Sequence, residues 1–407
     1  METPLRHSLA LALALSLGAA VSLGITRFAY GLLLPAMRTD LGWSYTLAGA
    51  MNTANALGYF VGALATPLLL RRMGATVLLW AGAVAATVCM GLSGFFTEAS
   101  PLLLQRLLAG VASAFVFIAG GLLAARLGAR DPARGGFLIG VYYGGTGWGI
   151  VLSALLVPWV LDVTQLQAHG WRWAWWGLSL LCALATAVLL WPVRVMAPWP
   201  QPAVQPHATA IVFRWQQFAY GLAGYAMFGV GYIGYMTFVV ALLRTQGFSA
   251  VAVTLFYGVL GLAVLASSRV WAGLLDRHKG GRALALLNAL LGVATILPAL
   301  THNGVVVALS GVLFGGVFLS VVASTTALVR HNLPQGAWAA GISAFTAVFA
   351  AGQIVGPTVV GWIADGPGGL PRGLVFSACA LWLGSALAMR QKAIEPASTA
   401  PDQLLKS

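Results

Sequence analysis

The sequence predicts an all-α membrane protein with twelve transmembrane helices in two pseudo-symmetric six-helix bundles. The first reason is composition. Of 407 residues, 59% are hydrophobic and only 8% charged, with a mean hydropathy of +0.87. A soluble domain carries about 25% charged residues. The second is the count of apolar runs near the ~20 residues that a spanning helix needs. Twelve are present, at 8–35, 46–70, 75–95, 101–127, 136–160, 172–192, 215–243, 249–275, 282–300, 304–329, 336–363 and 371–391. None shows the alternation of a barrel strand. The third is an internal repeat broken by a proline-rich stretch between the sixth and seventh runs.

Taken in order, span 1 holds the most informative residue. Arg27 lies well inside an apolar run with no Asp or Glu to offset it. A central charge costs roughly 2.5–3.5 kcal/mol on insertion scales, so it marks a functional position. The run is too long for a signal peptide and is followed by further spans, so it reads as a retained helix. Tyr30, three residues on, is expected to share the face of Arg27. In span 2, Asn52, Asn55 and Tyr59 fall at i, i+3 and i+7, a polar stripe suited to a cavity wall or to helix packing. Span 4 carries Arg106. Span 5 carries Gly140, Gly144, Gly145, Gly147 and Gly149. Trp171, Trp173, Trp175 and Trp176 crowd the start of span 6 and suit an interfacial aromatic belt.

Pro192, Pro198, Pro200, Pro202 and Pro206 then interrupt the pattern. They divide the chain into a first bundle (1–192), a linker (193–214), a second bundle (215–391) and a tail (392–407). A shift of 205 residues aligns the halves. Gly24 meets Gly229, Tyr30 meets Tyr235, Gly42-Trp43-Ser44 meets Gly247-Phe248-Ser249, Gly110 meets Gly315, and Gly147 meets Gly352. Arg27 meets Tyr232. Repeats of this size, with a site at their interface, characterise secondary transporters. In span 7, Tyr225, Phe228, Tyr232 and Tyr235 form an aromatic stripe. Span 8 carries Arg269, and Thr346 and Gln353 share a face of span 11.

The net charge of +13 is topological. Of the 22 Lys and Arg, Arg38, Arg172, Arg244 and Arg372 fall on one side, and Arg27, Arg106 and Arg269 fall inside spans. The remaining fifteen lie on the side of the termini. This asymmetry predicts both termini in the cytoplasm, and the expected location is as a multi-pass protein of a bacterial inner membrane. It also argues against a nucleic-acid partner. Cys89, Cys182 and Cys379 sit in spans and form no disulfide or metal framework. No Gly-x-x-x-x-Gly-Lys-Ser/Thr loop is present, so ATP-driven pumping is not expected. No metal cluster or nucleophile–base pair calls for a cofactor or an enzyme. All nine acids and six histidines lie outside the middle of the spans, so no side chain offers a midplane proton relay.

The chain resembles the major facilitator superfamily over essentially its full length. Ala272-Gly273-Leu274-Leu275-Asp276-Arg277-His278-Lys279-Gly280-Gly281-Arg282 is similar to the family's loop motif between spans 8 and 9, with its leading glycine shifted by one residue. The corresponding first-half loop is reduced to Arg71-Arg72-Met73-Gly74, with Arg71 where the acid would stand. Arg106-Leu107-Leu108-Ala109-Gly110 resembles the fourth-span arginine motif, and the span 5 glycines resemble the fifth-span motif. More narrowly, Arg27-Phe28-Ala29-Tyr30-Gly31-Leu32-Leu33-Leu34-Pro35 and Gly352-Gln353-Ile354-Val355-Gly356-Pro357 resemble the YbfB/YjiJ-type branch. The resemblance implies alternating-access transport, with Arg71, Arg72, Arg106, Gly147, Asp276 and Arg277 in gating or conformational roles.

The residues favour a small organic anion, a carboxylate above all, because an arginine fork fits a carboxylate bidentately. The expected substrate-binding set is Arg27, Tyr30, Asn52, Asn55, Tyr59, Tyr232, Tyr235, Arg269, Thr346 and Gln353. Without a buried acid, such a carrier is expected to be a uniporter or exchanger, or to move protons on the substrate. Efflux of lipophilic drugs, carriage of a neutral sugar or amino acid, and a receptor role are the alternatives. Besides the lipid bilayer and the substrate no partner is called for, and a monomer suffices.

Overall fold

The computed structural model describes residues 4–131, 134–199, 213–334 and 337–394. Residues 200–212 of the expected linker and 395–407 of the expected tail lie outside the described residues. Among the described residues the regular elements are all helical.

Among the described residues eleven helices are long and apolar enough to cross a membrane, one fewer than the twelve expected runs, because spans 2 and 3 run together as Tyr45–Ser93. Forty-nine helical residues would reach roughly 70 Å if straight, far more than the ~30 Å of a bilayer core. Gly74 breaks the run, at φ 78° and ψ 166°, which a side chain would strain. Gly62 and Gly82 stand on either side of this break, and both face span 4. A Cβ on the first would meet Val111 and Ala114, and on the second Phe115 and Val116. Two positions at the same height on one neighbour require the chain to reverse at Gly74. Tyr45–Ser93 is therefore a helical hairpin, and the chain crosses twelve times.

Span 1 is His7–Leu41. Pro35 lies within it rather than ending it, and Ala20–Phe28 is wound as a π-helix. Spans 4 to 7 are Ala99–Arg130, Gly135–Val163, Trp171–Met196 and Ala219–Thr245. Span 8 is Ala250–Val270, with Ala272–Arg277 as a separate turn of helix, shorter than the expected 249–275. Spans 9 to 12 are Arg282–Leu300, Gly304–Asn332, Trp338–Asp365 and Gly369–Met389.

The 205-residue shift holds at the level of local geometry. Gly42 and Gly247 both end a span with positive φ, 65° and 87°. Ser44 and Ser249 each begin the next, their hydroxyls accepting from the N–H groups of Leu47 and Ala252. Gly110 packs against the Asn55 carbonyl, and Gly315 against the Leu260 carbonyl, the same shift again.

Spans 1–6 meet spans 7–12 along three helix pairs, 1 with 7, 2 with 11, and 5 with 8. The hydrogen bonds across this seam lie between mid-span and the end opposite the termini. The Asn52 amide donates to Thr237 Oγ1 at 2.8 Å, the Tyr257 hydroxyl to the Phe28 carbonyl at 2.8 Å, and Thr53 Oγ1 to the Ile354 carbonyl at 2.7 Å. At the far end the Asp365 carboxylate, from the end of span 11, accepts from the N–H groups of Tyr45 and Thr46 and from Thr46 Oγ1, at 2.7, 2.8 and 2.6 Å. It caps the positive N-terminus of span 2 from across the seam. The Arg38 guanidinium lies 3.8 Å over the Tyr45 ring beside it.

Asp365→Asn is expected to loosen this clasp. Met236 is buried in the seam, where its carbonyl faces Gly31. In a Cys379→Ser background, maleimide labelling of a cysteine replacing Met236 is expected to rise at least about threefold with Asp365→Asn. Equal labelling rates would show that the clasp does not hold this end closed.

Candidate functional site at the centre of the seam

The site begins with the π-helix. Such segments are rare, short and frequent at functional sites. All nine residues of Ala20–Phe28 are buried, and Gly24 brings its backbone onto Gly149 of span 5, so close that a Cβ would lie 2.6 Å from the Gly149 Cα. Arg27 projects from the last π turn and is 3% exposed. Its Nε and Nη2 are buried without a hydrogen-bond partner. Among the described residues no carboxylate pairs with it, and the Tyr59 ring lies 5.6 Å from the guanidinium carbon. A buried charge left this way costs several kcal/mol unless something else satisfies it.

Arg106 is the opposite case. It is equally buried, but its Nη1 donates to the Thr26 carbonyl at 2.6 Å and its Nη2 to Asn52 Oδ1 at 2.7 Å. The Tyr30 ring lies 5.0 Å from its guanidinium carbon and the Trp175 ring 6.0 Å. Asn55 donates to the Arg106 carbonyl at 3.1 Å. Arg106 thus ties spans 1, 2 and 4 into one knot, and Asn52 carries that knot across the seam to Thr237.

This arrangement corrects the expected pairing of Arg27 with Tyr30. Tyr30 donates to the Ala48 carbonyl at 2.8 Å and stacks under Arg106. The wider π turn puts i+3 out of register, so Arg27 and Tyr30 do not share a face. Tyr59 takes the place expected of Tyr30. It lies within electrostatic reach of Arg27, Tyr143, Tyr225 and Tyr232, and it and Tyr143 keep part of their surface accessible.

Across the seam, Tyr232 also feels the Arg27 charge. Its hydroxyl donates to Gln353 Oε1 at 2.9 Å. Its ring stacks on Phe228, Phe318 and Phe349 with interplanar angles of 22°, 19° and 21°. Phe349 and Phe228 are nearly parallel, at 9°, and Tyr225 joins both. Tyr235 stands apart from this group, bonded to Ser310 at 2.7 Å and stacked on Phe314. It connects to that group through Phe314, whose ring lies 14° from the plane of Phe318.

Seven further expected positions lie away from Arg27. Arg269 is exposed near the end of span 8, its guanidinium 4.9 Å from the Phe137 ring, and does not join the central group. Thr346 is exposed and bonds back to the Ile342 carbonyl of its own helix. At the helix ends between spans 2 and 3 and after span 8, Arg71, Arg72, Asp276 and Arg277 are exposed, with no ion pair joining them among the described residues. Gly147 lies where span 5 crosses span 8, and a Cβ there would stand 2.5 Å from the Gly261 carbonyl. The sequence reading missed Tyr143, Phe318 and Phe349. Phe349 was open to discovery, since it lies one turn before Gln353.

The two arginines are expected to behave oppositely in equilibrium unfolding from mixed micelles. Arg106→Gln strands two buried acceptors and should lose about 2–4 kcal/mol. Arg27→Gln removes a charge with no protein partner and should lose nothing, or gain up to about 3 kcal/mol. Equal losses would mean that Arg27 is a packing residue like Arg106.

Comparison with known proteins bears on the whole chain. A protein of Agrobacterium vitis described as "Putative tartrate transporter" is 25% identical over 384 residues, covering 87% of this chain and 83% of its own. The crystal structure of the nucleoside transporter NupG superposes with a TM-score of 0.72 at 13% identity, covering 96% of this chain and all of that one. A bacterial homologue of the human lysosomal transporter Spinster, in an inward-facing and unoccupied conformation, gives 0.67 at 16% identity over 96% of this chain and 98% of that one. At these identities the two structures establish a shared fold. The model of the family described as uncharacterised MFS-type transporter YbfB matches residues 19–389, and the chain belongs to that family: it is a multi-pass membrane transporter of small solutes, not an enzyme.

Proposed function

We propose that the protein carries a small organic anion, a carboxylate, by alternating access, with Arg27 as its anchor. The observation that carries this reading is the buried guanidinium of Arg27, which among the described residues has neither a hydrogen bond nor a counter-ion where the two sets of helices meet. A carboxylate would supply both at once, through two parallel N–H···O bonds. The name of the Agrobacterium vitis relative points to the same chemistry.

In this reading Tyr59, Tyr232 and Gln353 surround the ligand beside Arg27. Arg106, Asn52 and Asn55 hold span 1 in position and do not touch it. The Asp365 clasp closes one end of the path. Gly147 allows spans 5 and 8 to rock against each other, and Arg269 and Thr346 stand nearer the other mouth. Both termini lie in the cytoplasm of a bacterial inner membrane, the side favoured by fifteen of the 22 basic residues. With no acid or histidine at mid-span, the carrier is a uniporter or exchanger, or moves a proton on the substrate itself.

A thermal-stability screen of the purified protein against organic anions, neutral solutes and organic cations tests this. A ligand at 100 times its Kd stabilises the folded state by about 2.7 kcal/mol. Stabilisation by carboxylates that vanishes in Arg27→Gln is the expected result. Stabilisation by cations or neutral solutes that survives the substitution would overturn it.

A further inference from the structure

We infer that the anion is a monocarboxylate bearing a flat aromatic ring, which stacks on Phe349 beside Tyr232 while its carboxylate meets Arg27. The inference rests on the anion reading above and narrows it.

The single charge follows from the arginines. Both Nη atoms of Arg106 are occupied, at 2.6 and 2.7 Å, its side chain is 2% exposed, and aromatic rings flank it. Arg269 is away from the centre, against Phe137. Arg106 keeps only its Nε unbonded, whereas Arg27 makes no hydrogen bond among the described residues and is the unpartnered cation at the centre. One carboxylate neutralises it. A second would enter a low-dielectric site with no cation to meet it, at a cost of several kcal/mol.

The ring follows from the wall opposite Arg27. Helix-packed aromatics meet in edge-to-face and offset geometries alike, yet Tyr225, Phe228, Tyr232, Phe318 and Phe349 meet with ring planes 9–22° apart in six pairings. The stack draws on spans 7, 10 and 11, with four of its five rings buried against one another. Most of it is covered, but Phe349 keeps accessible surface, and the charge of Arg27 reaches Tyr232. On the other side Tyr59 and Tyr143 are also partly accessible, and Tyr59 lies within reach of both Arg27 and Tyr232. A flat ring between these walls continues the stack. A hydroxylated aliphatic acid such as tartrate would leave its hydroxyls against ring faces.

The test titrates the purified full-length protein with the sodium salts of benzoate, cyclohexanecarboxylate and tartrate, reading Kd from thermal stability. Benzoate and cyclohexanecarboxylate match in charge and nearly in size, and differ in flatness and π-character. Aromatic stacking should favour benzoate by about 3–10-fold, with tartrate weaker than both. Phe349→Leu should bring benzoate to the level of cyclohexanecarboxylate and leave the latter within about twofold. Cyclohexanecarboxylate or tartrate binding as tightly as benzoate to the wild type, with binding still lost in Arg27→Gln, would overturn the aromatic class and leave the anion reading standing. No binding of any carboxylate would overturn both. The wild-type comparison decides the matter even if Phe349→Leu fails to fold.

Discussion

A positive charge without a partner in an apolar interior is the constraint on which this architecture turns. Arg27 cannot shed its proton, since a guanidinium stays charged in proteins. It cannot reach water at the ends of a span that runs from His7 to Leu41. The helix that carries it is wound as a π-helix at that point and packed on Gly149 of span 5 through Gly24, so its direction is fixed by backbone rather than by a flexible arm. The fold holds an unfavourable charge in place without a partner among the described residues. In the proposed function the free protein bears that cost and an anion relieves it.

The second arginine shows what the same residue looks like when the protein itself is the partner. Arg106 sits in a closed set of neutral acceptors and rings that joins three spans. The repeat sharpens the contrast. Under the 205-residue shift Arg27 corresponds to Tyr232 and Arg106 to Gly311. The first half brings Arg27 and Arg106 to the centre, and the second brings an aromatic stack that includes Tyr232, the counterpart of Arg27. The two halves share turns, caps and helix contacts, as Gly42 and Gly247 or Ser44 and Ser249 attest, but they bring different chemistry to the seam. A ligand lying between them would be gripped by charge on one side and by ring faces on the other. Changing its hold on either half would then couple binding to the rocking of the halves.

Much of this was legible in the amino-acid sequence, and the failures have physical causes. The membrane class, the number of crossings and the importance of Arg27 follow from hydropathy and from the rarity of a mid-span charge. The hairpin at Gly74 was legible because two apolar runs flank Arg71-Arg72. The pairing of Arg27 with Tyr30 failed because it assumed a regular α-helical period, and nothing in Ala20–Phe28 announces a π turn. Arg269 was grouped with the centre on the strength of lying in an apolar run, whereas its long arm reaches the end of that run. The Asp365 clasp was invisible because it pairs residues 320 apart with a helix N-terminus, which no local pattern encodes. Phe318 and Phe349 were passed over because an aromatic residue in a membrane helix is ordinary until its neighbours are known.

Counterflow of labelled benzoate in proteoliposomes, comparing wild type with Arg27→Lys and Arg27→Gln, tests the central claim most directly. If the charge and fork of Arg27 hold the substrate, Arg27→Gln abolishes counterflow. Arg27→Lys, which keeps the charge and loses the two-pronged geometry, retains a small fraction of it with a raised KM. Counterflow in Arg27→Gln equal to that of the wild type would show that the buried charge serves the fold and not the cargo.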